Sequence, residues 1–239
     1  MKKIIPIDTI YMSADTLVAV ESQIDSAKRI LGFKDVRIFK ENLQGITDSI
    51  SYFLSDSTIF MYEDPVLWTT KNQISGDTIS LLIKEKYVDK MNLYRNSFMV
   101  SQDTLGQFNQ VKGRNMVAEF NLNDIERIHV LGNCESLYFA LSQKEDYLIG
   151  MNKVTCCNMI MLFKENELSG LNFYKKPEAS MTPPHELSPA AMKLPGFQWR
   201  NDERPTLPYV LLRPERIKKS DSAAEETSED GEKPAALPT

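Results

Sequence analysis

The chain has 239 residues, 42% of them hydrophobic, and a formal net charge of −5, which suits one large all-β domain or two small domains with a core. The charge is localised: from Ser220 onward there are six acids and one base, leaving 27 acids and 27 bases in residues 1–219. A neutral body argues against strong non-specific binding of nucleic acid, and no apolar run approaches the roughly 18 residues of a membrane span.

The N-terminal "MKKIIPIDTIYMSAD" is a poor signal peptide, because Pro6 and Asp8 interrupt its apolar run. The expectation is a mature chain, or a piece of a longer protein whose export signal lies upstream. The next feature is internal similarity. "NQISGDTISLLI" from Asn72, "NQVKGRNMVAEF" from Asn109 and "NKVTCCNMIMLF" from Asn152 align without gaps. Looser relatives are "YMSADTLVAVES" from Tyr11 and "LQGITDSISYFL" from Leu43. The shared core is a polar pair followed by an alternating apolar run. It recurs at Asp15, Asp48, Asp77, Arg114 and Cys157, at intervals of 33, 29, 37 and 43 residues. Uneven spacing suits strands joined by variable loops better than a strict solenoid.

The first copy is ambiguous. Leu17, Val20, Ile24, Ala27 and Leu31 fall near helical spacing, and Gly32 would serve as a C-cap. The repeat register favours strand–loop–strand, and that is the expectation for residues 15–31. Each copy is followed by a second strand-like piece with an apolar pair: Val36/Ile38, Ile59/Met61, Met91/Leu93, Ile128/Val130 and Leu171/Phe173. Alternate strand residues share a face, so these pairs define an apolar column. The residues between them, Arg37, Phe60, Asn92, His129 and Asn172, are mostly polar. The first strands add Ile50/Tyr52, Ile79/Leu81, Met116/Ala118 and Met159/Met161, with Ser51, Ser80, Val117 and Ile160 on the other parity. Short polar turns join the two strands of each copy. Gly45, Gly76 and Gly113 precede the first strands, as a bend or bulge requires, and Cys156 replaces glycine in the last copy.

From Thr182 to Arg216 there are seven prolines in 35 residues, which no central strand tolerates. This reads as an extended arm anchored by Phe197 and Trp199. The acidic, aromatic-free segment beyond it reads as disordered.

Candidate chemistry is sparse. His129 reads as an exposed strand residue, and His185 has only Glu186 beside it. Cys134, Cys156 and Cys157 match no zinc spacing or disulfide framework and read as small buried strand residues. Carboxylates such as Asp56, Asp64, Asp89 and Asp124 lie at turns, where turn chemistry favours them. A glycosidase pair drawn from different strands stays open. No phosphate loop or dinucleotide fingerprint is present. The apolar column itself has two readings, a core between sheets or a groove for a hydrophobic ligand. Met91, Met116, Met159 and Met161 would suit either, since Met adapts to irregular apolar partners.

The segments "NQISGDTISLL", "NQVKGRNMVAEF", "IHVLGNCESLYF" and "LNFYKKPEASMTPP" resemble the OstA-like family, related to the lipopolysaccharide-transport protein LptA. The resemblance covers roughly residues 10–182, and "GFQWR" and "ERP" are similar to the family's C-terminal ending. It implies an all-β fold, a V-shaped β-jelly roll of stacked antiparallel strands whose interior shields lipid acyl chains, without enzymatic activity or a cofactor. Carried onto this chain, the groove would consist of Ile50, Tyr52, Ile59, Met61, Ile79, Leu81, Met91, Leu93, Met116, Ala118, Ile128, Val130, Met159, Met161, Leu171 and Phe173. The implied ligand is lipopolysaccharide or the acyl chains of lipid A, and the implied location is the periplasm. Terminal strands near Thr9–Val20 and Asn172–Met181 would offer open edges to other jelly-roll transport proteins. The expected organisation is a jelly roll over 1–182, a proline-rich arm over 183–215 and a disordered acidic tail over 216–239. The missing export signal, the degraded first copy and the tail depart from the family pattern. The competing readings are a structural or adhesive β-repeat protein with a closed core, and a carbohydrate-active β-repeat enzyme.

Overall fold

The structure, a computed structural model, describes residues 9–21, 28–85, 87–122, 124–164 and 167–212. The acidic segment 216–239 lies outside the described residues. The strands, in chain order, are β1 (Tyr11–Ser13), β2 (Thr16–Glu21), β3 (Lys28–Lys40), β4 (Leu43–Phe53), β5 (Thr58–Tyr62), β6 (Val66–Trp68) and β7 (Asn72–Ser75). They continue with β8 (Thr78–Lys84), β9 (Tyr87–Gln102), β10 (Phe108–Asn121), β11 (Asp124–Leu141), β12 (Leu148–Lys164), β13 (Glu167–Tyr174) and β14 (Glu178–Thr182). All belong to one hydrogen-bonded sheet, and every pairing is antiparallel.

The sheet is bent along one line. Between β3 and β4, Phe33 pairs with Ser49 and Val36 with Thr47, so Lys34 and Asp35 oppose Asp48 alone. Between β9 and β10, Arg95 and Asn96 oppose Arg114. Between β11 and β12, Gly132 and Asn133 oppose Cys157. Two residues against one is a β-bulge, which bends the strand that carries it. All six residues of these pairs have left-handed φ, from 47° to 76°. The links between β5 and β6 (Glu63, Asp64) and between β13 and β14 (Lys175, Lys176) carry the same left-handed pair. Side-chain amides brace the bend: Asn115 Oδ1 accepts from the Arg95 backbone N–H at 3.0 Å, and Asn158 Oδ1 from that of Gly132 at 3.3 Å. The polar pair at the heart of each repeated stretch therefore sits at a corner.

The corners divide the sheet into two limbs. The first limb holds two unbroken inward rows. One runs Leu17, Gly32, Ile50, Met61, Ile79, Leu93, Met116, Val130, Met159, Phe173; the other runs Ala19, Ile30, Tyr52, Ile59, Leu81, Met91, Ala118, Ile128, Met161, Leu171. The second limb faces them with Met12, Ile38, Gly45, Leu67, Ile74, Met99, Val111, Ser136, Val154 and Ala179. Most members of these rows join one apolar core that spans both limbs.

One sequence expectation, strands in place of a helix near residues 15–31, agrees with the described residues, and two others are corrected in detail. Residues 16–21 and 28–33 pair as strands, so the helical spacing there is overridden by pairing; Ile24 and Ala27 lie outside the described residues. Val36 and Ile38 belong to the second limb, and the first-limb members from β3 are Ile30 and Gly32. The apolar pair resembles its counterparts, but the Lys34–Asp35 corner precedes it instead of following it. Gly45 is likewise not a corner glycine. It lies in β4, where a Cβ would stand 2.7 Å from Leu67 Cδ2. Thr47 holds the position of Gly76 and braces the turn by donating its hydroxyl to the Tyr62 carbonyl.

Residues 183–212 cross the outer face of the second limb. Leu187, Met192, Leu194, Phe197 and Trp199 cover Phe98, Val100, Leu137, Phe139 and Met151. The segment ends in a short helix, α1 (Leu207–Leu212), where sequence predicts an extended chain; Tyr209 of α1 lies under the Arg37 guanidinium, 4.1 Å from its ring centre. Three glutamines at one repeat position hold this strap. Gln110 donates to the Met192 carbonyl and accepts from the Leu194 N–H, both at 2.8 Å. Gln73 does the same with Gln198 and Arg200 at 2.7 Å. Gln44 accepts from Arg204 Nε at 2.8 Å. The amides of Gln73 and Gln110 each act as a one-residue strand partner, whereas Gln44 holds a side chain of the strap. Arg200 adds an ion pair to Asp64 at 2.6 Å, and hydrogen bonding to Arg200 holds the Glu203 carboxyl below its usual pKa. Gln73→Leu leaves the Gln198 carbonyl and the Arg200 N–H unpaired, which costs about 1–3 kcal/mol. A lowered urea midpoint with an unchanged strand signal is expected; an unchanged midpoint would show that the strap adds no stability.

Candidate functional site: the apolar interior and its mouth

The sixteen candidate residues come together without exception on the two inward rows of the first limb. Thirteen of them are no more than 4% exposed; Tyr52, Leu171 and Phe173 are partly buried against the same core. Alternation puts them there, since the opposite parity (Ser51, Phe60, Ser80, Asn92, Val117, His129, Ile160, Asn172) forms one continuous outer row.

Residues of both limbs line a cavity of about 770 Å³. Met161 and Leu171 of the candidate set line it, together with Phe163 and Leu168. The facing wall from the second limb is mixed: Asn72, Ser101, Asn109, Ser136 and Tyr138 stand beside Met99 and Val111. The cavity extends round the turn between β6 and β7 to Trp68, Trp199 and Arg204. Phe163, Leu168 and the facing wall are absent from the sequence-based candidates. The signal that could have found part of this wall is the asparagine that opens each of the three best-aligned stretches, at 72, 109 and 152. Each stands two residues before an inward apolar residue, Ile74, Val111 or Val154.

Neither histidine lines the cavity. His129 is on the outer row, 4.0 Å from Glu119, and His185 is exposed beside Glu186 at 3.5 Å. Cys134 and Cys156 are buried cross-strand neighbours. Cys157, expected buried, is exposed, because it sits at the corner opposite Gly132 and Asn133. No group of three or more potential metal-binding side chains occurs among the described residues.

No family model matches this sequence, and no curated protein matches it. Among solved structures, the chain is similar to LptH from Pseudomonas aeruginosa, the LptA homologous periplasmic component of the conserved lipopolysaccharide transport device. The superposition covers 59% of this chain and 93% of that one, at 9% identity and a TM-score of 0.44.

Burial pushes the Cys134 thiol up from 9.0 to about 12, with the neighbouring Cys156 adding to the shift. Between these values the unfolded chain has lost a proton that the folded chain keeps, so stability falls as pH rises, by at most roughly 1.4 kcal/mol per pH unit from this group. Cys134→Ala should therefore lose less stability than the parent between pH 9 and 11 in parallel urea titrations. Equal losses would remove the thiol from the alkaline response.

Proposed function

We propose that the chain is a non-enzymatic carrier. It shields the acyl chains of an amphiphile in its apolar interior, as a periplasmic component of lipopolysaccharide delivery to the outer membrane. The observation that carries this reading is the pair of inward apolar rows, unbroken across ten strands and opening between the limbs at Met161 and Leu171. Each buried methylene contributes roughly 0.8 kcal/mol, so a chain of about twelve resists water by roughly 10 kcal/mol. A continuous apolar path lowers that barrier without chemistry. The methionines at 91, 116, 159 and 161 allow the packing to yield to a flexible chain. β2 with β1 and β13 with β14 end the sheet, and in this reading they pair with neighbouring jelly-roll domains, main chain to main chain. The motif resemblance over residues 10–182 supports the same assignment. In this reading the jelly roll ends near residue 182, the arm near 215, and the acidic tail stands apart.

One observation favours a second reading. The rows are closed tightly enough that most of the candidate residues touch no solvent, as in a purely structural β-protein. Photocrosslinking separates the two. A benzophenone amino acid replaces Met161 or Leu171, with Asn92 and His129 on the outer row as controls, and lipopolysaccharide is the probe. Crosslinks confined to the inner positions are expected; none, in a folded protein, would leave the closed-core reading.

A further inference from the structure

Two corners of the sheet are built alike, position for position. Between β9 and β10, Ser97 pairs with Gly113. Between β11 and β12, Cys134 pairs with Cys156. Ser97 Oγ donates to the Leu93 carbonyl, four residues back, at 3.2 Å, and to the Arg114 carbonyl across the bulge at 3.3 Å. Cys134 Sγ repeats this with the Val130 and Cys157 carbonyls, both at 3.2 Å. Arg114 and Cys157 are themselves equivalent, each the single residue opposite a left-handed pair. The corner thus packs with a hydroxyl and a glycine, and neither its backbone nor its hydrogen bonds require sulfur. Both members of one cross-strand pair carry it nonetheless.

The pair has the placement of a bridge. Cys134 and Cys156 share the inward face, each two residues from an inward neighbour, Ser136 or Val154. Both belong to the apolar core, at 1% and 9% exposure, and their thiols interact. Directly opposed antiparallel residues have Cα atoms about 4.5–5.5 Å apart, inside the roughly 4.4–6.8 Å that a disulfide spans. The next residue, Cys157, is exposed at the corner itself.

We propose that Cys134 and Cys156 form a disulfide that staples β11 to β12 at the corner, leaving Cys157 as the free thiol. The inference rests on the periplasmic reading for its setting, since disulfides persist in oxidising compartments. Two S–H bonds are lost, one S–S bond forms, and the electrons pass to a disulfide donor. The Cys156 thiolate attacks the donor and expels one of its thiols; the Cys134 thiolate then attacks Cys156 Sγ and expels the second. The two protons lost end on the donor's thiols. The thiolate is the attacking form, and burial holds the Cys134 thiol up to about 12. The exchange therefore belongs to folding, while the corner is still open, and the same burial then shields the finished bond. The alkaline sensitivity of Cys134 described above is a property of the reduced chain.

The test refolds the full chain from its reduced, unfolded state in a glutathione redox buffer, then unfolds and alkylates it for mass measurement. One added group, alkyl or glutathione, is expected at Cys157, with Cys134 and Cys156 recovered in one disulfide-linked peptide. Three added groups, or a bridge that includes Cys157, overturns the pairing. Reductant should lower the thermal midpoint of the bridged chain by about 5–10 °C, the effect of opening a closed loop of about twenty residues. The double variant Cys134→Ser with Cys156→Gly copies the Ser97–Gly113 corner, and its midpoint should ignore reductant; an equal response overturns the assignment. Location is read separately, by acid-trapping thiols in the cells that make the chain. A single free thiol there supports both readings. A chain that bridges on refolding but carries three thiols in the cell overturns the periplasmic reading and leaves the pairing intact.

Discussion

The bend shared by successive strands is the constraint on which the rest of the molecule depends. A flat antiparallel sheet of this width would leave one face of every strand in water. Placing two left-handed residues opposite one on β3, β9 and β11, and repeating the left-handed pair in the β5–β6 and β13–β14 links, lines the corners up across the sheet. The sheet then folds onto itself, and each long strand contributes to both walls. A bulge on one strand alone would break the ladder; bulges in register turn it. Glycine fills only one of these ten left-handed positions, Gly132, so the corners are held mainly by context and by amide braces such as Asn115 and Asn158.

Because the corners are aligned, residues that are equivalent in the repeated stretches become neighbours in space. Ile79, Met116 and Met159 lie on one inward row. Gln73 and Gln110 point outward to the strap, and Asn72 and Asn109 belong to the cavity lining. The "NQ" dipeptide thus sends one amide to each side of the sheet, inward for Asn and outward for Gln. The last stretch, from Asn152, has Lys153 in place of Gln, where the strap makes no matching clamp among the described hydrogen bonds.

Strand alternation was legible in the sequence because it is local: parity alone gathers Ile50 through Phe173 on one face. The strand pairing of residues 16–21 with 28–33 was legible only through similarity to later copies, since Leu17, Val20 and Leu31 carry helical spacing too. The corners were not legible. Lys34–Asp35, Arg95–Asn96 and Lys175–Lys176 have no common composition, and the bend depends on what opposes them. For the same reason Val36 and Ile38 went to the wrong limb. The facing wall of the cavity escaped because its members are distant in sequence and individually ordinary. The strap clamps escaped because glutamine looks like a solvated residue until a second backbone covers it.

The strap also dictates an order of events. Its bonds join residues 73 to 198 and 110 to 192, so they form only after the strands that bear them have paired. Closing such loops is slow relative to forming hairpins. Until that happens Phe98, Val100, Leu137 and Phe139 stand uncovered on the outer face. On a ribosome, nearly the whole sheet is synthesised before its cover emerges. The half-built molecule is therefore a sticky one, and the C-terminal thirty or so described residues act as its lid against self-association.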